Sequence, residues 1–143
     1  AVANRARRGM GKPETFDFLG FTHMCSHTRN GRFMVRRHTI AERLRRKLAE
    51  VKQRLRSHRH WTIPEVGRWL GSVVRGHYQY YAVPGNFRFL KAFRRGVISL
   101  WRTSLRHRSQ RSRATWARLY RLVRRWLPSP RILHPYPTVR LLV

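Results

Sequence analysis

Acidic residues are nearly missing from this sequence: Glu14, Asp17, Glu42, Glu50 and Glu65 are the only five, against 33 lysines and arginines. Two-metal phosphoryl transfer gathers carboxylates around its ions, and so few, so scattered among cations, argue against polymerase or nuclease chemistry in this chain alone. Catalytic residues, metal and cofactor are all expected to be none. Cysteine is equally scarce. Cys25 stands alone, which excludes an intramolecular disulfide framework and fits a reducing compartment. No run approaches the ~18 consecutive apolar residues of a membrane span, and the N-terminus has no apolar signal-peptide core. A cytoplasmic protein with no membrane partner is expected. The first residue is Ala1, not Met, which with the basic stretch Asn4 to Lys12 reads as a processed, fused or truncated start.

What is present is enough to fold. With 41% hydrophobic and 12% aromatic residues in 143, the chain can build the core of one domain. Its formal net charge of +28, histidine counted neutral, repels itself in any compact state. A polyanion relieves that repulsion, and nucleic acid is the leading partner.

The hydrophobic pattern predicts a mainly α protein: an N-terminal β-hairpin, a three-helix bundle, a fourth helix and an extended Pro-rich tail. Residues 1–13 are basic, glycine-bearing and aperiodic, a flexible lead-in. Residues 14–38 read as a two-stranded hairpin, with Phe16, Phe18, Phe21 and Met24 before the Asn30-Gly31 turn signal and Phe33 and Val35 after it. The helical region covers 39–127. Thr39-Ile40-Ala41-Glu42 has the form of a capping box, and Ile40, Leu44, Leu48, Val51 and Leu55 then fall in one arc of about 80°. A second box, Thr62-Ile63-Pro64-Glu65, opens a helix with Val66, Trp69, Leu70, Val73, Val74, His77, Tyr80 and Tyr81 on one face, ending at Pro84-Gly85. Asn86 is the expected cap of the third helix, whose buried face is Leu90, Phe93, Val97, Leu100, Trp101 and Leu105. A basic link from His107 to Arg113 leads to the fourth helix, with Trp116, Leu119, Tyr120, Val123 and Leu127. The prolines of residues 128–143 stop further helix, and Ile132, Leu133, Val139 and Leu141 are expected to lie across the bundle.

Several of these residues resemble a known family. Phe16-Asp17-Phe18-Leu19-Gly20-Phe21 with Gly31-Arg32-Phe33 looks like the last palm segment and hairpin of group II intron reverse transcriptases. Val73-Val74-Arg75-Gly76-His77-Tyr78-Gln79-Tyr80-Tyr81-Ala82-Val83-Pro84-Gly85-Asn86 is similar to their thumb, the maturase-specific X domain. Leu105-Arg106-His107-Arg108-Ser109-Gln110 and His134-Pro135-Tyr136-Pro137 continue the likeness in the same order, so that it spans about residues 14 to 140. The resemblance implies binding of group II intron RNA, help in its folding and splicing, and a bacterial or organellar setting. Phe18, Leu19 and Gly20 would correspond to a primer grip. Fingers and palm, with the family's Tyr-Ala-Asp-Asp loop, are not in this sequence, and no Cys- and His-rich endonuclease region follows. The implied activity is therefore RNA binding without polymerisation by this chain alone. A remnant, a fragment, or the thumb of a split enzyme with a separate fingers-palm chain all fit, and target DNA is a further candidate partner.

The expected RNA-binding residues follow the basic faces. They are Arg36 and Arg37 on the hairpin, Arg43, Arg46, Lys47 and Arg54 on the first helix, Arg68 and Arg75 on the second, and Arg108, Arg111 and Arg113 at the link. On the third helix Arg88, Lys91, Arg95, Arg102 and Arg106 fall within about 60° of one another and form a ridge able to track phosphates. The plain alternative is a solvated surface, but ordinary surfaces mix both signs. Trp69, Tyr80, Tyr81, Phe93 and Trp101 are expected in the core, whereas Tyr78 and Tyr136 are the candidates for stacking on bases. His23, Cys25 and His27 alternate on one strand face, yet without an obvious fourth ligand they read as hairpin surface. For Phe18-Leu19-Gly20 in the absence of a palm, ordinary strand packing beneath the first helix is the simpler expectation. A general basic architectural protein remains the third functional class.

Overall fold

The structure, a computed structural model, describes residues 15–108 and 115–135. The basic lead-in, Arg111, Arg113, Tyr136, Val139 and Leu141 lie outside the described residues. Three antiparallel strands come first, β1 (Phe16–Phe18), β2 (Phe21–His27) and β3 (Phe33–Thr39), in the order β1-β2-β3. Four helices follow: α1 (Ala41–Ser57), α2 (Ile63–Tyr81), α3 (Phe87–Arg108) and α4 (Trp116–Trp126). The fold is thus mainly α with a small N-terminal sheet, as the periodicity implies.

The expected hairpin has an additional strand because the apolar run from Phe16 to Met24 breaks at Leu19-Gly20. Both residues have positive φ, 49° and 84°, the signature of a two-residue type I′ turn joining the facing pair Phe18 and Phe21. Leucine in that conformation costs about 1–2 kcal/mol. Distant groups hold the turn in place: the Tyr80 hydroxyl donates to the Leu19 carbonyl, and the Ile40 amide to the Gly20 carbonyl at 3.1 Å. The Asn-Gly pair instead belongs to a longer loop, in which Gly31 alone of the two has positive φ (75°) and its amide returns to the Thr28 carbonyl at 3.0 Å.

The first capping box does not form. Thr39 ends β3, and Ile40 occupies the cap position of α1 with no side-chain bond. A residue far along the chain takes the threonine instead. Asn86 Oδ1 accepts from the Thr39 amide at 2.9 Å, while its Nδ2 donates to Thr39 Oγ1 at 2.8 Å and to the Tyr81 carbonyl at 2.9 Å. Asn86 does precede α3, and its carbonyl accepts from the Leu90 amide at 3.2 Å, but its fully buried side chain ties β3 to the α2–α3 corner and serves the last carbonyl of α2. Glu42, with no cap to complete, pairs with Arg46 at 3.2 Å. The second box forms as the sequence implies, with Thr62 and Glu65 each bonded to the other's amide at 3.4 and 2.7 Å.

All four helices share one core. Val51 and Leu55 of α1 meet Val66, Leu70 and Val74 of α2, Leu90, Phe93, Val97 and Trp101 of α3, and Leu119 and Val123 of α4. On α2 the buried stripe also takes in Gly67, Gly71 and Tyr78, which apolar periodicity does not mark. The two glycines let α4 approach: a Cβ on Gly67 would stand 2.5 Å from the Trp126 indole, and one on Gly71 2.6 Å from the Trp126 carbonyl oxygen. Trp69 and Tyr81, expected in the core, are half-buried at its edge, and Tyr80 is exposed. Tyr78, expected to stack on bases, is 3% exposed, and its hydroxyl donates to the Pro128 carbonyl at 3.1 Å. Burial pushes that phenol up to about 12.

After α4 the prolines keep the chain extended, and backbone bonds fix it. The amides of Leu133 and His134 both donate to the Ala82 carbonyl, at 3.0 and 3.1 Å, and the His134 imidazole meets the Gln79 carbonyl. Ile132 and Leu133 are themselves 39% and 42% exposed, so partial burial and these hydrogen bonds together hold the tail.

Candidate nucleic-acid interface

A helix places every third or fourth residue on one side, and on α3 this sets Arg88, Lys91, Arg95, Arg102 and Arg106 in a row about 27 Å long at 1.5 Å per residue. Four of the five are exposed; Arg102 is half-buried because its guanidinium lies 4.0 Å from the centroid of the Trp116 ring. The other helices add Arg43, Arg46, Lys47 and Arg54 from α1 and Arg68 and Arg75 from α2, all exposed. From the sheet, Arg36 is exposed and Arg37 is half-buried over the Phe21 ring at 5.9 Å.

The acids among the described residues do not neutralise the α3 row. Glu42 and Glu50 pair with Arg46 and Lys47 at 3.2 and 3.0 Å on α1, Glu65 is held in its capping box, and Asp17 accepts from the Thr22 hydroxyl. The Lys47 ammonium and the Thr62 amide, by their hydrogen bonds, hold Glu50 and Glu65 respectively below the usual carboxylate range. His38 is also held below its ordinary value, first by burial and then by Arg36 and Arg88. That second cause registers the positive field where the sheet meets α3.

A cleft of about 680 Å³ separates the C-terminal halves of α1 and α3. Lys52, Arg56, Arg59 and Arg108 stand around Trp61 and Leu100, and among the described residues no acid lines it. Helix C-termini attract cations, which is one reason these residues are there; the effect is to gather them in a concave place. Arg108 is not a free phosphate binder. Its guanidinium donates to the Trp61 and His58 carbonyls, so it clamps the α1–α2 link against α3.

Flat stacking surface sits at the end of the α3 row, in side chains that the sequence pattern assigns to a helix face without marking them as accessible. Trp116 and Tyr120 are 52% and 57% exposed and stack on each other, centroids 5.9 Å apart at 29°. Arg118, Arg121, Arg124 and Arg125 on α4 are exposed too, three of them on the side turned away from the aromatic pair, and they were not among the residues expected to contact RNA. Phe18 and Leu19 of the grip-like segment do not pack beneath α1; they are 58% and 66% exposed, and Gly20 with Phe21 makes the contact to α2 instead. His23, Cys25 and His27 do share a sheet face, but His23 stacks on Phe16 at 4.9 Å and His27 meets Phe33 edge-on. Among the described residues no group of three or more His, Cys, Asp or Glu is placed to hold a metal ion.

Comparison with protein-family models, with curated proteins and with solved structures finds no match. Among the described residues no helix is long and apolar enough to cross a membrane.

Proposed function

We propose that this chain is a non-catalytic RNA-binding module of the maturase type, which binds structured RNA, group II intron RNA in particular, and assists its folding and splicing. The observation that carries this reading is the α3 row of five cations, which no carboxylate among the described residues neutralises and which runs to an exposed aromatic pair. A folded RNA must bring its phosphates together against their own repulsion. A packed bundle with cations in fixed rows offsets that repulsion and sets the angle between RNA helices, while Trp116 and Tyr120 offer faces to unpaired bases. On this reading the protein works where intron RNA is made, in the bacterial cytoplasm or an organelle.

The test is binding of a group II intron RNA and of an unrelated structured RNA of equal length across a salt series, followed by splicing at low magnesium. Neutralising ~6 to 10 phosphates makes affinity fall by roughly 10³ to 10⁵ between 50 and 200 mM salt on the duplex-DNA relation. Replacing Arg88, Lys91, Arg95, Arg102 and Arg106 by glutamine should flatten that slope and leave the fold intact. Equal affinity for both RNAs would favour a general architectural protein; no binding at low salt would end the proposal.

A second reading has an observation of its own. Phe16, Phe18, Phe33 and Val35 lie on the sheet face that Phe21 shares, yet all four are 48% to 60% exposed. An uncovered apolar face suits the thumb portion of a split reverse transcriptase, whose separate fingers-palm chain would cover it and restore DNA synthesis. Recovery of such a chain with this one, and primer extension by the pair, would favour that reading.

A further inference from the structure

At Leu48 and Gly96 the first and third helices nearly touch, since a Cβ on Gly96 would stand 2.7 Å from Leu48 Cδ1. From there they part toward their C-termini, and the space between them is the cleft of about 680 Å³, within the roughly 300–1,000 Å³ range of small-ligand sites. Its floor is apolar. Leu55 is buried, Leu100 is half-buried, and the half-buried Trp61 ring is backed by His58 at 3.9 Å. Around the rim Lys52, Arg56 and Arg59 are exposed, so their charged heads can reach an incoming group.

The surroundings suit an anion. Among the described residues no carboxylate pairs with Lys52, Arg56, Arg59 or Arg108; Glu65, whose charge is felt by His60 at the rim, is held by the Thr62 amide at 2.7 Å. The carbonyls at the end of α1, which would repel an anion, are taken: that of Arg54 by the His58 amide at 3.0 Å, those of His58 and Trp61 by Arg108. Arg108 therefore adds a fixed positive charge rather than a contact, and the low-dielectric walls concentrate the field of all four cations. Width and floor then choose among anions. Packed helices stand about 8–10 Å apart, a gap narrower than a paired RNA helix, so a duplex stays outside while one strand can enter. Cations beside an aromatic ring are the combination that holds a single strand, the ring taking a base and the cations its phosphates.

We propose that this cleft seats an unpaired segment of the bound RNA, with a base against Trp61 and Leu100 and the flanking phosphates against Lys52, Arg56 and Arg59. The site rests on the RNA-binding reading and divides its labour: the α3 row tracks phosphates along one flank of that helix, and the cleft on another flank selects unpaired nucleotides.

The experiment compares binding of the full chain, at matched salt, to an RNA duplex and to the same duplex carrying a short bulge of uridines. The parent should prefer the bulged RNA at least about fivefold, the worth of one stacked base. Thr103→Glu and Gln53→Glu separate the cleft from overall charge. Both positions are exposed, about one turn from the end of a helix, and both substitutions lower the net charge by one, but Thr103 lines the cleft and Gln53 does not. A carboxylate at position 103 occupies the rim cations in place of an RNA phosphate. Thr103→Glu should therefore bind the two RNAs alike, while Gln53→Glu keeps the parent's preference. In the isotopically labelled chain the Trp61 indole N–H resonance, identified by its loss in Trp61→Phe, should shift on adding bulged RNA to the parent and to Gln53→Glu but not to Thr103→Glu. A parent that binds both RNAs equally, or a Thr103→Glu variant that retains the preference, overturns the cleft assignment and leaves general RNA binding standing. A parent that binds neither RNA in dilute salt overturns the broader reading instead.

Discussion

The sheet and the helical bundle treat the same kind of side chain in opposite ways. Phe93 and Trp101 in α3 are 0% and 1% exposed, whereas Phe16, Phe18 and Phe33 in the sheet remain 60%, 58% and 58% exposed. Both regions have well-formed apolar faces. On the sheet, strand pairing puts Phe18 beside Phe21, Val35 beside Cys25 and Phe33 beside His27, all on one side. Only the Phe21 end of that side meets helices, through the Tyr80 and Tyr81 rings at 5.8 and 5.2 Å. The difference teaches that a hydrophobic pattern decides which residues share a face, while the presence of a neighbour decides whether that face is buried. Four helices supply neighbours for one another. The sheet touches them at a corner.

The sharpest way to break this contrast is to remove a large aromatic from each region. Trp101→Ala should cost about 3–5 kcal/mol through the cavity it leaves, whereas Phe33→Ala should change stability by no more than about 0.5 kcal/mol. Urea denaturation of both variants reads the difference directly, and a Phe33 variant as damaged as the Trp101 one would mean that the sheet face is covered.

Acid offers the next largest effect, and it acts on the bundle. In the unfolded chain His77 takes up its proton near 6.5, whereas in the fold burial delays this to about 4. Between those values the unfolded state binds more protons, so the stabilisation is complete above pH 6.5 and is lost as pH falls toward 4, to the extent of roughly 3 kcal/mol. His38, whose shift has the same sign, adds to it. Unfolding free energies measured from pH 7 to pH 4 should fall accordingly, and His77→Phe should remove most of the slope.

Asn86→Ala sharpens the comparison at the joint between the regions. It orphans the Thr39 amide and removes a donor from the Tyr81 carbonyl, at a cost of about 2 kcal/mol. Hydrogen exchange should then quicken in β3 well before it does in α3. The smallest expected effect is a gain. Leu19→Asn relieves left-handed strain in the β1–β2 turn, since asparagine tolerates that backbone, and should stabilise by up to about 1 kcal/mol. A loss on this substitution would mean that the exposed leucine side chain supports the turn.

Much of this was legible residue by residue. The helix ranges from Ala41 to Trp126, the box at Thr62 and Glu65, and the buried face of α3 follow from a period of 3.6 and from cap chemistry that acts within four residues. The same signals misled where a distant group competed. Thr39 and Glu42 have the spacing of a capping box, yet Asn86 supplies a better-enclosed partner for the threonine. Tyr78 lies outside the apolar stripe and is buried all the same, because the returning tail gives its hydroxyl an acceptor at Pro128. Gly67 and Gly71 have no side chain to mark a face, and their role exists only once Trp126 lies against them. Of the candidate interface, the α3 row was visible in the spacing of its cations; the stacked Trp116 and Tyr120, the clamp at Arg108 and the cleft beside Trp61 were not.

By itself the sequence determined that this protein is a strongly basic, mainly helical chain, because net charge and hydrophobic period are properties of order and composition that no fold can alter. Only the tertiary structure decided which aromatics face solvent, which arginine is tied to carbonyls, and where two helices part to leave a cleft rimmed by cations. Those outcomes depend on contacts between residues dozens of positions apart, and distance along the chain carries no record of them.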